Sequence, residues 1–171
     1  MAPSATPTAD ESLKQDPQAD LYFLHSQTDE LGINLNGRED LLDRTTFDQI
    51  LEMDDDNARE FSKGIVYGFF DQAEATFVKM ENAIVAQDLS EVSQLGHFLK
   101  GSSATLGLTK VKDACEKIQN FGARKDESGI VDEPDKAKSL SNIKKTLTEV
   151  KEDYNEVAKL LRDFYGDTIS T

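Results

Sequence analysis

From about residue 44 onward, apolar side chains recur every three or four residues, which is the spacing of one face of an α-helix. A short amphipathic helix is predicted around Phe47, Ile50 and Leu51. A long helix is predicted from about residue 58 to residue 87, because its apolar positions repeat with a period of about 3.6 residues. The apolar face of this helix consists of Ile65, Phe69, Ala73, Phe77, Met80 and Ile84.

Two further helices follow, and their ends are marked by polar residues and glycine. Asp88 is a suitable N-cap for the third helix, because Glu91 lies three residues later as in a capping box. Gly107 is placed to end that helix, since glycine adopts a left-handed C-terminal conformation without steric cost. The fourth helix is predicted to extend to about Lys125, and its apolar stripe consists of Val111, Ala114, Cys115, Ile118 and Phe121.

The last helix is predicted to begin near Pro134, since proline is favoured at the first helical position. Its apolar residues form a heptad seam suited to bundle packing. The seam consists of Leu140, Ile143, Leu147, Val150, Tyr154, Val157, Leu161 and Phe164. No segment alternates in the manner of a strand, so the pattern predicts an all-α protein, an antiparallel four-helix bundle with a short extra N-terminal helix. Because three other amphipathic helices can cover the seam, we expect a monomer rather than a coiled-coil dimer.

The first 40 residues differ in composition from the rest of the chain. They are rich in Pro, Ala, Ser, Thr and Asp, and they contain one short apolar cluster, Leu21 to Leu24. Such a segment buries too little apolar surface to offset the entropy lost on ordering. We therefore predict a mostly disordered arm at residues 1–40 and a bundle domain at residues 41–171. His25 lies in this arm without chemically active neighbours.

Charge and composition exclude several classes of function. The formal net charge of −14 repels phosphate backbones and anionic lipid, so neither nucleic acid nor a membrane is an expected partner. Two histidines and one cysteine exclude an internal disulfide and a closed His/Cys zinc site. The acidic run MDDDN at 53–57 lacks the spacing of a calcium loop. No secretory signal and no apolar run of about 20 residues is visible, so we expect an intracellular soluble protein without a resident metal.

His97 is the strongest candidate for chemistry. The core face of the third helix is predicted to consist of Val92, Leu95, Leu99, Ser102 and Leu106. His97 lies about 170° from the centre of that face and should point to solvent. Helical side chains lean toward the N-terminus, so a side chain at position 101 would cover the imidazole, but that residue is Gly101. Lys100 brings an ammonium close to the ring, and an open imidazole beside a cation suits a nucleophile that accepts an anionic group.

Gln119 on the next helix is expected to stand level with His97. Each residue lies about ten positions from the turn at Gly107, or roughly 15 Å along its helix. Because Gln119 lies at the edge of its apolar stripe, its amide is placed to form hydrogen bonds near the ring. The pattern also fits an ordinary surface histidine, with Gly101 serving as a packing glycine.

The segment HFLKGSSATLGL at 97–108 resembles the phosphoacceptor motif of histidine-containing phosphotransfer (HPt) proteins. With MDDD, FSKG, FDQA and CEKIQNFG around it, the chain resembles the fungal members of this family, the phosphorelay intermediates of osmosensing two-component pathways. The likeness covers about residues 47–122 and includes the last helix only by pattern. It implies a four-helix bundle of the cytoplasm and nucleus. Such a protein takes a phosphoryl group from the receiver-domain aspartate of a hybrid sensor kinase and passes it to the receiver domains of response regulators.

The resemblance also implies roles for individual residues. His97 would be the phosphoacceptor, Lys100 would steady the phosphoryl group, and Gly101 would leave access to the ring. The supporting hydrogen-bonding groups would be Ser102 and Gln119. The GARK segment at 122–125 departs from the family pattern, which leaves open whether Arg124 contributes to the site.

No phosphate-binding glycine loop and no metal cage is visible in the sequence. Mg²⁺ is therefore expected to come from the partner receiver domain, and the chain is expected to be a carrier rather than an enzyme with ATP-dependent kinase activity. A histidine-kinase dimerisation domain fits less well, because Phe98 follows His97 where such domains carry an acidic residue. The remaining alternative is a non-catalytic helical adaptor that binds a partner through an exposed helix face.

Apolar residues near the histidine are expected to dock the partner in either case. They are Phe98, Ile50, Ile65 and Phe69. Burial beneath the short first helix is the competing interpretation for most of them. It is favoured for Phe69, whereas docking is favoured for Phe98.

Overall fold

The computed structural model describes residue 35 and residues 37–167. The chain divides into two units, Met1–Asn34 and Leu35–Thr171, and the described residues belong to the second. This part contains five helices: α1 Arg44–Leu51, α2 Glu60–Val85, α3 Leu89–Leu106, α4 Thr109–Gly122 and α5 Lys136–Phe164. It contains no strand, only an isolated bridge between Lys125 and Asp132. The all-α prediction with a short additional first helix is confirmed.

The helix ends follow local side-chain chemistry. Asp88 caps α3, and its Oδ1 accepts a hydrogen bond from the backbone N–H of Glu91 at 3.1 Å. Gly107 ends α3 with a φ of 75°, in the left-handed region that favours glycine. Asp54 in the acidic run accepts from the N–H of Ser62 at 2.8 Å, in the first turn of α2. The acidic run is therefore a turn that satisfies a helix N-terminus.

Four long helices enclose the core. Helix α3 packs against α2 and most extensively against α4, and α5 closes the bundle against α4 and α2. The short connections between consecutive helices make α2, α3 and α4 antiparallel neighbours. Every position of the predicted α5 seam is buried except Leu140, which is partly exposed. This helix begins at Lys136, two residues after Pro134, and is capped by Asp135.

Helix α2 buries a wider face than its sequence pattern predicts. Phe69 and Phe77 are buried as expected, but Val66 and Phe70 are buried as well, and Ile65 lies at the edge with 36% of its surface exposed. Because α2 contacts both α3 and α5, a single stripe of residues would leave one of these contacts without apolar packing. Positions beside the predicted stripe, such as Val66 and Phe70, therefore also belong to the core, because α2 has two neighbouring helices.

The packed unit begins earlier than the predicted domain boundary at residue 41. Leu35 is buried together with Leu41 and Leu42. Arg38 forms an ion pair with Glu156 of α5. The described packed unit therefore begins at residue 35. The helical pattern did not show this, because these leucines lie in extended or turn backbone, where apolar residues do not recur with a helical period. The cluster at residues 21–24 and His25 lie outside the described residues, so the arm stays a prediction.

The end of α5 is tied to the start of α2. The hydroxyl of Tyr165 donates to Oγ of Ser62 at 2.8 Å, and the ammonium of Lys63 lies 2.8 Å from a carboxylate oxygen of Asp167. Ser62 is fully buried. These contacts hold the first turn of α2, which carries the exposed Phe61, against the end of the bundle.

Candidate functional site

His97 lies on the solvent-facing side of α3, as predicted. The opposite face of the helix is buried against the bundle at Val92, Leu99 and Leu106. The imidazole of His97 is therefore exposed to solvent on a helix whose opposite face is packed against the bundle.

Gly101 leaves open space one turn after His97. No heavy atom lies within 4 Å of the position that a Cβ would occupy on this residue. Gly101 is also exposed. It is therefore not a packing glycine, and that alternative is wrong. The absence of a side chain here leaves the approach to His97 uncovered, at a cost in helix propensity of about 1 kcal/mol relative to alanine.

The packing glycine of α3 is Gly96, immediately before His97. A Cβ on Gly96 would lie 2.9 Å from the backbone N of Gln119 and 3.0 Å from the carbonyl O of Cys115. One turn away, a Cβ on Gly122 of α4 would lie 2.6 Å from the backbone N of Ser93. The two helices therefore meet backbone to backbone beside the histidine. Sequence reasoning missed this contact because a glycine contributes nothing to a hydrophobic pattern.

Gln119 stands level with His97, because its backbone contacts Gly96. The predicted register between the two helices is thus correct. The carbonyl of Gln119 accepts a hydrogen bond from the Ser93 hydroxyl at 2.9 Å. Its side-chain Oε1 is buried and has no hydrogen-bond partner among the described residues. Within the described part of the chain, Gln119 thus carries an unpaired acceptor on a residue whose backbone lies level with His97.

Burial also affects Cys115, which lies in this interface. Its side chain is fully buried, and desolvation raises the pKa of the thiol to about 12. The thiol is therefore protonated at neutral pH and acts as a small apolar side chain.

The core face of α3 is rotated relative to the prediction. Ser103 is fully buried and donates to the carbonyl of Leu99 at 2.7 Å. Ser102 is only partly buried and donates to the carbonyl of Phe98 at 3.3 Å. Ser102 therefore lies nearer the solvent than predicted. The buried Gly96 explains the error, since including it moves the centre of the core face toward Ser103.

Lys100 reaches across to α4, where its Nζ lies 3.1 Å from Oε1 of Glu116. Both side chains remain accessible to solvent, with 32% and 52% of their surfaces exposed. Lys100 follows His97 by three residues and Glu116 precedes Gln119 by three, so the ion pair lies one turn along the same antiparallel interface. The sequence shows the negative charge of Glu116 and its position three residues before Gln119. Its pairing with Lys100 was nevertheless not predicted.

The Arg124 side chain forms hydrogen bonds with the connection between α4 and α5. It has a left-handed φ of 61°, and its Nε donates to the carbonyl of Glu133 at 3.4 Å. The same guanidinium donates to the carbonyl of Pro134. In this structure the Arg124 guanidinium therefore binds the connection that leads into α5.

The predicted docking residues separate into two groups. Phe98 and Ile65 are exposed, with 48% and 36% of their surfaces accessible. Ile50 and Phe69 are buried, at 7% and 5%, and their docking assignment is corrected, because a buried side chain offers no surface to a partner. Ile50 lies on the inner face of α1, which packs on α3. Met53 and Phe61 are further large apolar side chains that are exposed, and neither was among the predicted docking residues.

Among residue 35 and residues 37–167, no group of three or more His, Cys, Asp or Glu side chains is arranged to hold a metal ion. None of the five described helices combines the length and the apolar character needed to cross a membrane.

Comparison with known proteins places the chain in a family. The family model of the Hpt domain matches residues 65–159, more than half of the chain. Multistep phosphorelay regulator 1 of Schizosaccharomyces pombe is 47% identical over 131 residues, which are 77% of this chain and 44% of that protein. Phosphorelay intermediate protein YPD1 of Saccharomyces cerevisiae is 44% identical over 86 residues, which are 50% of this chain and 51% of that protein. The chain thus spans about half the length of these curated relatives.

A solved structure agrees with the sequence matches. The co-crystal structure of the Saccharomyces cerevisiae histidine phosphotransfer signaling protein Ypd1 with the receiver domain of its downstream response regulator Ssk1 matches with a TM-score of 0.67 and 30% identity. The match covers 75% of this chain and 97% of the matched chain. By the family-model match over residues 65–159 and the similarity of its helical bundle to this solved structure, the chain belongs to the Hpt domain family.

Proposed function

We propose that this chain is a phosphorelay intermediate in which His97 carries the phosphoryl group. It would accept the group from the receiver-domain aspartate of a hybrid sensor kinase and pass it to the receiver domains of response regulators. The observation that carries this proposal is the exposed His97 ring beside the open space over Gly101. The names of two relatives, a phosphorelay regulator and a phosphorelay intermediate, support it, as does the similar protein crystallised with a receiver domain.

The chemistry needs a nucleophile and a positioned acyl phosphate. An imidazole nitrogen of His97 attacks the phosphorus with its lone pair, and the bond from phosphorus to the aspartyl carboxylate oxygen breaks. The carboxylate leaves with the electron pair of that bond, and the phosphoryl group remains on the ring nitrogen. Transfer to the next receiver is the reverse reaction with a different aspartate. Because the transition state is loose, positioning and charge neutralisation supply most of the catalysis.

The chain supplies a small part of this apparatus. Lys100 brings a cation to the turn after His97, and Gly101 leaves room for the partner. Ser102, which donates to the carbonyl of Phe98, and Gln119 support the histidine-bearing turn. We assign Mg²⁺ and the remaining catalytic groups to the receiver domain. The protein is then a carrier and co-substrate rather than an enzyme.

The exposed apolar residues Phe98 and Ile65 are the proposed docking contacts for the receiver domain. The net charge of −14 argues against nucleic acid and anionic membranes as partners. The proposal also includes that the protein is a monomer and that it works in both the cytoplasm and the nucleus. A carrier between a sensor kinase and its response regulators must meet each receiver domain in turn.

A transfer experiment tests the proposal. An isolated fungal receiver domain, charged with radiolabelled acetyl phosphate, is mixed with the full-length chain, and the label is followed by rapid quench and gel autoradiography. Label should appear on the wild-type chain and on the His25→Gln control, but not on His97→Gln. Label that survives His97→Gln would refute the assignment of His97. A wild-type chain that binds the receiver domain without taking label would instead indicate the non-catalytic adaptor.

A further inference from the structure

The ammonium of Lys100 is already paired in the resting protein. Its Nζ lies 3.1 Å from Oε1 of Glu116, a residue of the neighbouring helix α4. Helices α3 and α4 meet backbone to backbone at Gly96, one turn from this pair. This close contact sets the spacing between α3 and α4 beside the ion pair, and it places Glu116 within reach of the Lys100 ammonium.

A phosphoryl group on His97 would compete with Glu116 for this cation. Before transfer, one ammonium faces one carboxylate and the pair is neutral. After transfer, the same ammonium lies near two anions, because Lys100 follows His97 by one turn. The carboxylate both shares the counterion of the phosphoryl group and repels that group directly. A site with Glu116 thus holds the phosphoryl group less tightly than a site with Lys100 alone.

We propose that Glu116 is a positioning residue that sets the phosphoryl-transfer potential of His97. It holds Lys100 beside the histidine and, by sharing that cation, keeps the phosphohistidine able to give its group away. This inference rests on the proposed function, since it concerns the same histidine. A carrier must release its group as readily as it accepts it, and a carboxylate across the helix interface lowers the stability of the loaded form.

The equilibrium with a small phosphodonor tests this without a partner protein. Full-length protein is incubated with phosphoramidate and ammonia, and the phosphohistidine fraction is measured by phosphorus NMR. The imidazole of His97 displaces ammonia from phosphorus, one nitrogen–phosphorus bond replacing another, so the ratio of products to reactants reports the transfer potential. Glu116→Gln should raise this equilibrium constant by about two- to fivefold, the range expected for an exposed ion pair. The increase should shrink as salt approaches about 1 M.

Two further variants identify the cause. Asp113→Asn removes a carboxylate one turn earlier on α4, where it pairs with Lys112 at 3.6 Å, and it should leave the equilibrium constant unchanged. In a Lys100→Ala background, the effect of Glu116→Gln should fall to less than half. A variant Glu116→Gln with the wild-type constant, or an effect undiminished without Lys100, would overturn the inference while leaving the proposed function intact. A wild-type protein that takes no phosphoryl group on His97 would overturn both.

Discussion

Two glycines of α3, Gly96 and Gly101, should respond in opposite directions to the same substitution by alanine. They lie five residues apart in one helix, so their intrinsic helix propensities are alike. They differ in what a new methyl group would meet, because one faces α4 and the other faces solvent. The pair therefore separates close helix packing from access to the histidine.

Gly101→Ala should stabilise the protein. No heavy atom lies within 4 Å of the new Cβ, so the methyl group replaces no contact and strains none. Alanine is the better helix former, and it reduces the entropy of the unfolded chain, which together favour folding by up to about 1 kcal/mol.

Gly96→Ala should destabilise the protein. The new Cβ would lie 2.9 Å from the backbone N of Gln119 and 3.2 Å from its Cα, closer than an ordinary van der Waals contact of about 3.5–4.0 Å. Both atoms belong to backbone, so relief requires α3 and α4 to move apart. Overpacking of this kind costs about 2–3 kcal/mol. Subtracting the gain in helix propensity of about 1 kcal/mol leaves a net loss of about 1–2 kcal/mol.

Urea unfolding followed by far-UV circular dichroism measures both effects. With an m-value of about 2 kcal/mol/M, the midpoints of the two variants should differ by about 0.5–1.5 M, with Gly101→Ala above the wild type and Gly96→Ala below it. The m-values should stay equal, since neither change alters the surface exposed on unfolding. A stabilised Gly96→Ala would refute the backbone contact, and a destabilised Gly101→Ala would refute the open space.

Three other predictions follow from the structure. Gly101→Gln should remain folded by circular dichroism but lose transfer from a charged receiver domain, because its side chain leans back over the histidine; a folded variant with normal transfer would show that the partner approaches from another side. Deleting residues 1–40 should lower the free energy of unfolding by about 2 kcal/mol, because it removes the buried Leu35, whereas deleting residues 1–34 should change this free energy little. Equal melting curves for the two deletion variants would contradict this. Burial raises the pKa of Cys115 to about 12, so the folded state binds this proton more tightly than the unfolded state and stability should fall between about pH 9 and pH 12. Cys115→Ala should reduce that slope in urea titrations, and the remainder comes from the tyrosines whose pKa is also raised by burial.

The sequence by itself determined the parts of this protein that depend on neighbours along the chain. A helical period of about 3.6 residues shows which side of α3 faces solvent, so the exposure of His97 was predictable. The cap of Asp88 with Glu91 and the stop at Gly107 involve residues within a few positions of each other. The missing side chain of Gly101 is also a local fact, because position i+4 lies over position i in any α-helix.

Only the tertiary structure decided the contacts between helices. The contact of Gly96 with Gln119 and the pairing of Lys100 with Glu116 depend on how close α3 and α4 approach and how each is rotated. Distance and rotation result from all the side chains at the interface together, and the glycine that allows the close approach adds nothing to a hydrophobic pattern. The same reason explains why Ile50 is buried, and why the Arg124 guanidinium binds a loop carbonyl ten residues away.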